Sequence, residues 1–272
     1  MMPIPSRLSL AALAVAALPC LVGAQPSPEP TVPPLPSQTT VVEDVVVPVP
    51  REIFGTLERF RHSNWRAVQR PELAKMRPRA DQAGIALQLG VAIAEGFVAV
   101  EGEDVDEVKQ LGRAVLTLAR GLGVGQWALR RSSSIVEHAE KGDWAAVRGE
   151  WDGVLPDVQE GMKELKSEQL AQLVSLGGWV RGTEVLSSLI LQNYSDTDAV
   201  LLRQPAVVEQ LGKQLERMSP EIRNQPQVSR IRKGLERVRA VLAGPDAQMS
   251  REKATEAGGI ATALLKEISN PR

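Results

Sequence analysis

Apolar residues return at steps of three and four along most of this chain, and no stretch alternates apolar with polar residues between turn signals. The first pattern lines one face of a helix, whereas a half-buried strand requires the second. The clearest stripe is Trp144, Val147, Trp151, Val154, Val158, Met162 and Leu165. Others run through Val105, Val108, Leu111, Val115, Leu118 and Leu122, through Val228, Ile231, Leu235, Val238 and Leu242, and through Ala257, Ile260, Ala261, Leu264 and Ile268. Each stripe has to bury itself against another surface, so the spacing predicts an all-α fold, a multi-helix bundle. Asp143 is placed to cap the Trp144 helix. Pro156 in its middle predicts a kink, because proline removes a hydrogen bond and clashes with the carbonyl of Asp152.

Two segments are apolar all round, which places them at the centre of the bundle. Gln82 to Ala94 carries no charge, and Leu170 to Tyr194 carries only Arg181 and Glu184. Neither reaches the roughly 18 uninterrupted apolar residues of a membrane span, so both are expected to be core helices and the mature chain to have no transmembrane span. Helix ends are expected at Gly121-Leu122-Gly123-Val124-Gly125, Lys141-Gly142-Asp143, Ser195-Asp196, Ser219-Pro220, Pro226 and Gly244-Pro245. A soft boundary near Ser195 divides a main bundle over residues 51–195 from a C-terminal helical subdomain over 196–272, where the prolines return. Residues 203–272 carry 13 basic and 8 acidic side chains.

The start of the chain reads as an export signal. Arg7 precedes an apolar stretch from Leu8 to Leu18, and Val22-Gly23-Ala24 offers small residues for cleavage. The stretch spans about 16 Å as a helix, short of the roughly 30 Å bilayer core, which favours cleavage near Ala24 and a periplasmic or extracellular product. The sole cysteine, Cys20, leaves with it, so the mature chain has no thiol for a disulfide, a metal site or nucleophilic catalysis. From Gln25 to Pro50 there are eight prolines in 26 residues, a composition that predicts a disordered, extended tether. Pairing of Val45-Val46-Val47 as an edge strand is the alternative there, opposed by Pro48 and Pro50. Over the whole chain 32 Lys and Arg stand against 33 Asp and Glu, a balance that excludes a polyelectrolyte binder of nucleic acid.

Patterns that carry chemistry are sparse. Ser134 lies four residues before His138, with Glu137 beside it, but side chains on one helix face point outward together and the chain has no G-x-S-x-G elbow. Ser250-Arg251-Glu252-Lys253 matches the S-x-x-K of penicillin-recognising enzymes without that family's S-D-N or K-T-G, so Ser250 reads as a helix cap. The acidic group Glu101, Glu103, Asp104, Asp106 and Glu107 lacks the order of a calcium loop and suits a helix start. Gly121, Gly123 and Gly125 follow a helix rather than a strand, which argues against a phosphate cradle. H-E-x-x-H is absent, and neither His62 nor His138 lies in an E-x-x-H arrangement. Ala139-Glu140-Lys141-Gly142-Asp143-Trp144 resembles the turn between the helices of a tetratricopeptide unit, over that one turn and without the family's repeat period. No catalytic residue, metal ligand or cofactor is nominated.

Two features remain. Glu95, Arg181 and Glu184 place charge inside the central helices, where it is costly unless paired. A structural ion-pair network is expected, with Arg181 and Glu184 meeting at i and i+3 and Glu95 joining them; a polar ligand pocket that includes Trp179 is the alternative. Gly177, Gly178 and Gly182 imply close approach of another helix. The second feature is the late basic helix, with Arg223, Arg230, Arg232, Lys233, Arg237 and Arg239 against Glu221 and Glu236. Arg230, Lys233 and Arg237 are its candidate docking residues for an anionic envelope component. Aromatic residues to stack on bases do not interleave with them. The reading that follows is an exported, non-enzymatic helical scaffold, adaptor or assembly protein whose partner is a protein or an anionic envelope component. A binding module for a small polar or anionic ligand comes second, and a glycan-acting enzyme using Glu95 with Glu184 third.

Overall fold

Each apolar stripe lies on helix, in the computed structural model of the chain, which describes residues 41–42, 45–46, 58–60, 62–243 and 249–270. The expected signal over residues 1–24 and most of the tether over 25–50 lie outside the described residues. Within the tether, Val41–Val42 (β1) pairs antiparallel with Val45–Val46 (β2), Val41 opposite Val46 and Val42 opposite Val45. These four positions are thus paired rather than disordered, which is the alternative that Val45-Val46-Val47 offered. The β-branched valines suit a ladder, and Pro48 and Pro50 follow the paired residues without interrupting them.

Before the first long helix runs an irregular strap of three short 3-10 turns, Glu58–Phe60, Trp65–Val68 and Pro71–Lys75. The two central helices are α1 (Gln82–Glu101) and α7 (Glu168–Gln192). Between them in the chain come α2 (Val105–Gly121), α3 (Gly125–Leu129), α4 (Ser132–Lys141), α5 (Trp144–Asp152) and α6 (Val154–Glu164). After α7 follow α8 (Asp196–Ala199), α9 (Pro205–Arg217), α10 (Pro220–Arg223), α11 (Pro226–Leu242) and α12 (Arg251–Ser269). The C-terminal helices share the core of the rest, since α12 packs along α7 and α11 packs on α12.

Local chemistry sets the helix boundaries. Asp81, Asp104, Asp143 and Ser250 each accept a hydrogen bond from a backbone N–H in the first turn they precede, at 2.7, 3.1, 3.2 and 3.3 Å. Gly123 (φ +79°) and Gly142 (φ +71°) stop α2 and α4 in left-handed turns that cost glycine little. The kink expected at Pro156 is replaced by a break: α5 ends at Asp152, Gly153 follows as a turn, and α6 begins at Val154. Pro156 is the third residue of α6, where a backbone N–H has no helical acceptor to lose.

The central pair is held by absent side chains. A methyl group on Gly90 would overlap the carbonyl of Val174, and one on Gly177 would overlap the carbonyl of Leu87, so α1 and α7 touch backbone to backbone. Gly178 lies beside the same contact, whereas a methyl group on Gly182 would meet no other part of the protein within 4 Å, so Gly182 takes no part in it. On another side of α1 the ring of Trp151 covers Gly96, and its indole N–H donates to the Ile93 carbonyl at 3.0 Å. By length and composition α1 would suit a membrane span, as Glu95 alone interrupts it; here almost all of it is buried in the protein.

Candidate functional site

Apart from Ser187, which is bonded to its own helix, four charged or polar side chains of the central helices are buried: Gln88 and Glu95 on α1, Arg181 and Glu184 on α7. All four reach towards the strap. The Gln88 amide accepts from Arg79 N at 3.0 Å and donates to the Arg77 carbonyl at 3.0 Å. Arg181 Nε donates to Glu95 Oε2 at 2.5 Å, Arg181 Nη1 donates to Glu184 Oε2, and Arg181 Nη2 donates to the carbonyl of Val68 at 2.5 Å. From the strap, Arg70 Nη2 donates to Glu184 Oε1 at 2.8 Å, and the Arg70 backbone N–H donates to Glu95 Oε1 at 2.6 Å.

The contacts close a ring that runs from Glu95 through Arg181 and Glu184 to Arg70 and back to Glu95. Its two guanidinium groups balance its two carboxylates, and each carboxylate oxygen receives one donor. Such completeness is what lets charge persist away from water. The Arg181 and Glu95 side chains are 0% exposed, and the Arg70 side chain, at 38%, is the one member open to solvent. Burial raises the Glu95 carboxyl above its ordinary value, and the Arg181 guanidinium and Arg70 N–H oppose that rise.

The structure therefore brings Glu95, Arg181 and Glu184 together as a network that leaves no carboxylate oxygen unengaged for a sugar or a small ligand. Trp179 is not part of it. Two residues before Arg181 on a helix, it projects from another side, where its indole N–H donates to Gln204 Oε1 at 3.3 Å. A cavity of about 240 Å³ between the strap and α2, lined by Ala74, Met76, Pro78, Gln110, Arg113, Ala114, Thr117 and Leu118, holds none of these residues. No protein-family model, curated protein or solved structure matches this chain.

Arg70 was not nominated from sequence, although charge balance points to it: two buried carboxylates against one buried guanidinium leave one cation to be found. Glu107 was also passed over as an ordinary helix-start acid. It is buried near Glu95, Asp104 and Lys75, and its Oε1 has no hydrogen-bond partner. Burial pushes its carboxyl above the ordinary value, with Glu95 and Asp104 adding to the rise and Lys75 opposing it.

The remaining sequence candidates have ordinary roles. Ser134 Oγ donates to Glu150 Oε1 at 3.0 Å, while His138 Nδ1 lies 3.3 Å from Asp143 Oδ2, so serine and histidine serve different partners. Among the described residues no group of three or more His, Cys, Asp or Glu is arranged to hold a metal ion. On α11, Arg230, Lys233 and Arg237 are all exposed on one flank, and Arg230 Nη2 is held at 2.6 Å by Glu267 Oε1 of α12. Lys233 and Arg237 have no carboxylate within 4 Å among the described residues.

Proposed function

We propose that this chain is a non-enzymatic helical scaffold, exported to the cell envelope, in which the buried ionic ring fastens the strap to the central helices. The observation that carries this reading is that all ring oxygens are spent on the protein's own donors. A binding pocket keeps polar groups unmatched until a ligand arrives; this one is saturated by the strap. The strap also follows the proline-rich segment over 25–50 in the chain, so a fastening at Val68 and Arg70 suits a chain that holds a partner at the end of a tether. The leader pattern over residues 1–24 supports export, and Lys233 with Arg237 on the exposed flank of α11 supports docking to an anionic envelope component or an acidic protein surface.

Thermal unfolding in the presence of a cell-envelope extract, separated into dialysable and macromolecular fractions, tests the reading. The dialysable fraction is expected to leave the ring-dependent melting temperature unchanged, and chemical crosslinking of the macromolecular fraction is expected to capture a partner on the α11 flank. A dialysable molecule that stabilises the wild type and not Glu95→Gln would show that the ring opens to a ligand, and the scaffold reading would then fail.

A further inference from the structure

The basic helix has a second flank. One turn apart on α11, Ser229 and Arg232 face away from α12 and, with Glu216 of α9 and Arg223 and Asn224 at the end of α10, line a surface groove of about 500 Å³. A volume of that size is in the range of small-molecule sites. Arg223 Nη1 donates to the backbone carbonyl of Glu216 at 2.9 Å, which positions the guanidinium without neutralising it. Arg232 has its nearest carboxylate, Glu236, 3.8 Å away, beyond hydrogen-bond range. Two guanidinium groups thus share one concave surface, neither hydrogen-bonded to a carboxylate among the described residues, next to an amide and a hydroxyl that can donate. Guanidinium forks match the oxygen spacing of phosphate, and an anion between them would relieve their mutual repulsion.

We propose that this groove binds a phosphate group, held by Arg223 and Arg232 with Asn224 and Ser229 as supporting donors. The Glu216 carboxylate on the same wall opposes the anion and sets the affinity low. The site stands independently of the scaffold reading, because none of its residues belongs to the ionic ring or to the flank of Arg230, Lys233 and Arg237. Phosphate can come from a soluble ester or from a lipid headgroup, and the two sources separate by experiment.

Inorganic phosphate is titrated into the full chain at fixed ionic strength, with chloride as the reference anion, and the arginine Nε–H NMR signals and melting temperature are followed. Arg223→Gln with Arg232→Gln is expected to weaken phosphate binding roughly tenfold or more through lost charge-assisted contacts. Glu216→Gln is expected to tighten it, Arg232→Lys to fall between wild type and the double variant, and Lys163→Gln, which removes one positive charge from α6, away from the groove, to leave it unchanged. A parallel arm uses phosphatidylcholine vesicles with and without phosphatidylglycerol. Vesicle binding that depends on Arg223 and Arg232 assigns the phosphate to a lipid headgroup, and dependence confined to the inorganic arm assigns it to a soluble phosphate. A response to phosphate no larger than to chloride, or equal affinity in wild type and double variant, overturns the site. Circular dichroism monitors folding; should the double variant lose helicity, Glu216→Gln and Arg232→Lys, whose expected effects have opposite sign, decide the matter.

Discussion

Replacing Arg181 by Met keeps an apolar stem of similar length and deletes three buried donors at once. Glu95 would retain only the Arg70 N–H, Glu184 would retain the half-exposed Arg70 guanidinium, and the Val68 carbonyl would be left without a partner. Breaking a buried ion pair by removing one member costs about 3–5 kcal/mol, because the remaining charge stays buried and uncompensated. For a folded region of this size each kcal/mol corresponds to roughly 2–4 °C, so the melting temperature is expected to fall by roughly 6–20 °C. Second-site changes locate the cost. Glu184 keeps Arg70 after the substitution and Glu95 keeps no cation, so adding Glu95→Leu is expected to recover more stability than adding Glu184→Leu. Equilibrium unfolding in urea of the wild type, the single variant and both doubles measures this. A single variant within about 1 kcal/mol of wild type, or a larger recovery with Glu184→Leu, would refute the ring as the carrier of strap attachment.

Gly90→Ala is expected to destabilise by about 1–3 kcal/mol through overlap with the Val174 carbonyl, whereas Gly182→Ala, with no neighbour within 4 Å, is expected to stabilise by up to about 1 kcal/mol; the two melting curves should move in opposite directions. A carboxyl whose folded-state pKa is raised binds its proton more tightly when folded, so its contribution is favourable below its ordinary value of 4.5 and is lost as pH rises through the folded value. Glu107→Gln is therefore expected to be more stable than wild type at neutral pH, with the difference vanishing below pH 4.5, as read from unfolding at a series of pH values. Substituting Lys233 and Arg237 by Gln is expected to leave the melting temperature nearly unchanged while weakening envelope association and lowering its salt dependence. Sedimentation with envelope fragments at two salt concentrations checks that, and unaltered binding would leave a solvated face.

The helices were legible because their apolar stripes are long, and α5 with α6 shows the limit of that signal. Trp151 and Val154 continue the same spacing across the break, so periodicity alone joins two helices that Gly153 separates. Charge inside an apolar run made Glu95, Arg181 and Glu184 visible. Arg70 was hidden because it lies in an irregular strap among other exposed basic residues, and only the charge deficit of the core reveals it. Trp179 was grouped with Arg181 by sequence proximity, but a two-residue step along a helix turns a side chain well away from its neighbour. The groove of Arg223 and Arg232 depends on where one short helix, α10, lays its end beside α11. Composition registered the basic excess there without dividing it between flanks.

An ionic ring is a costly way to fill a core, and apolar replacements of similar volume often match or exceed the stability of a buried ion network. The strap explains why charge persists here. Its backbone makes too few regular hydrogen bonds to satisfy itself, so Val68 O, Arg70 N, Arg77 O and Arg79 N each find a side chain of α1 or α7. Apolar residues in place of Glu95, Arg181 and Glu184 would pack the helices and leave Val68 O and Arg70 N without partners, at about 1–3 kcal/mol each. The triple change Glu95→Leu, Arg181→Met, Glu184→Leu is therefore expected to keep a helical circular-dichroism spectrum and cooperative unfolding while the strap loosens. Amide hydrogen exchange at Arg70 should accelerate, with exchange along α1 and α7 less affected, and limited proteolysis should cut within residues 62–80. Unchanged protection of Arg70 in that variant would mean that apolar packing alone sets the strap, and the ring would then be a consequence of the strap's position rather than its cause.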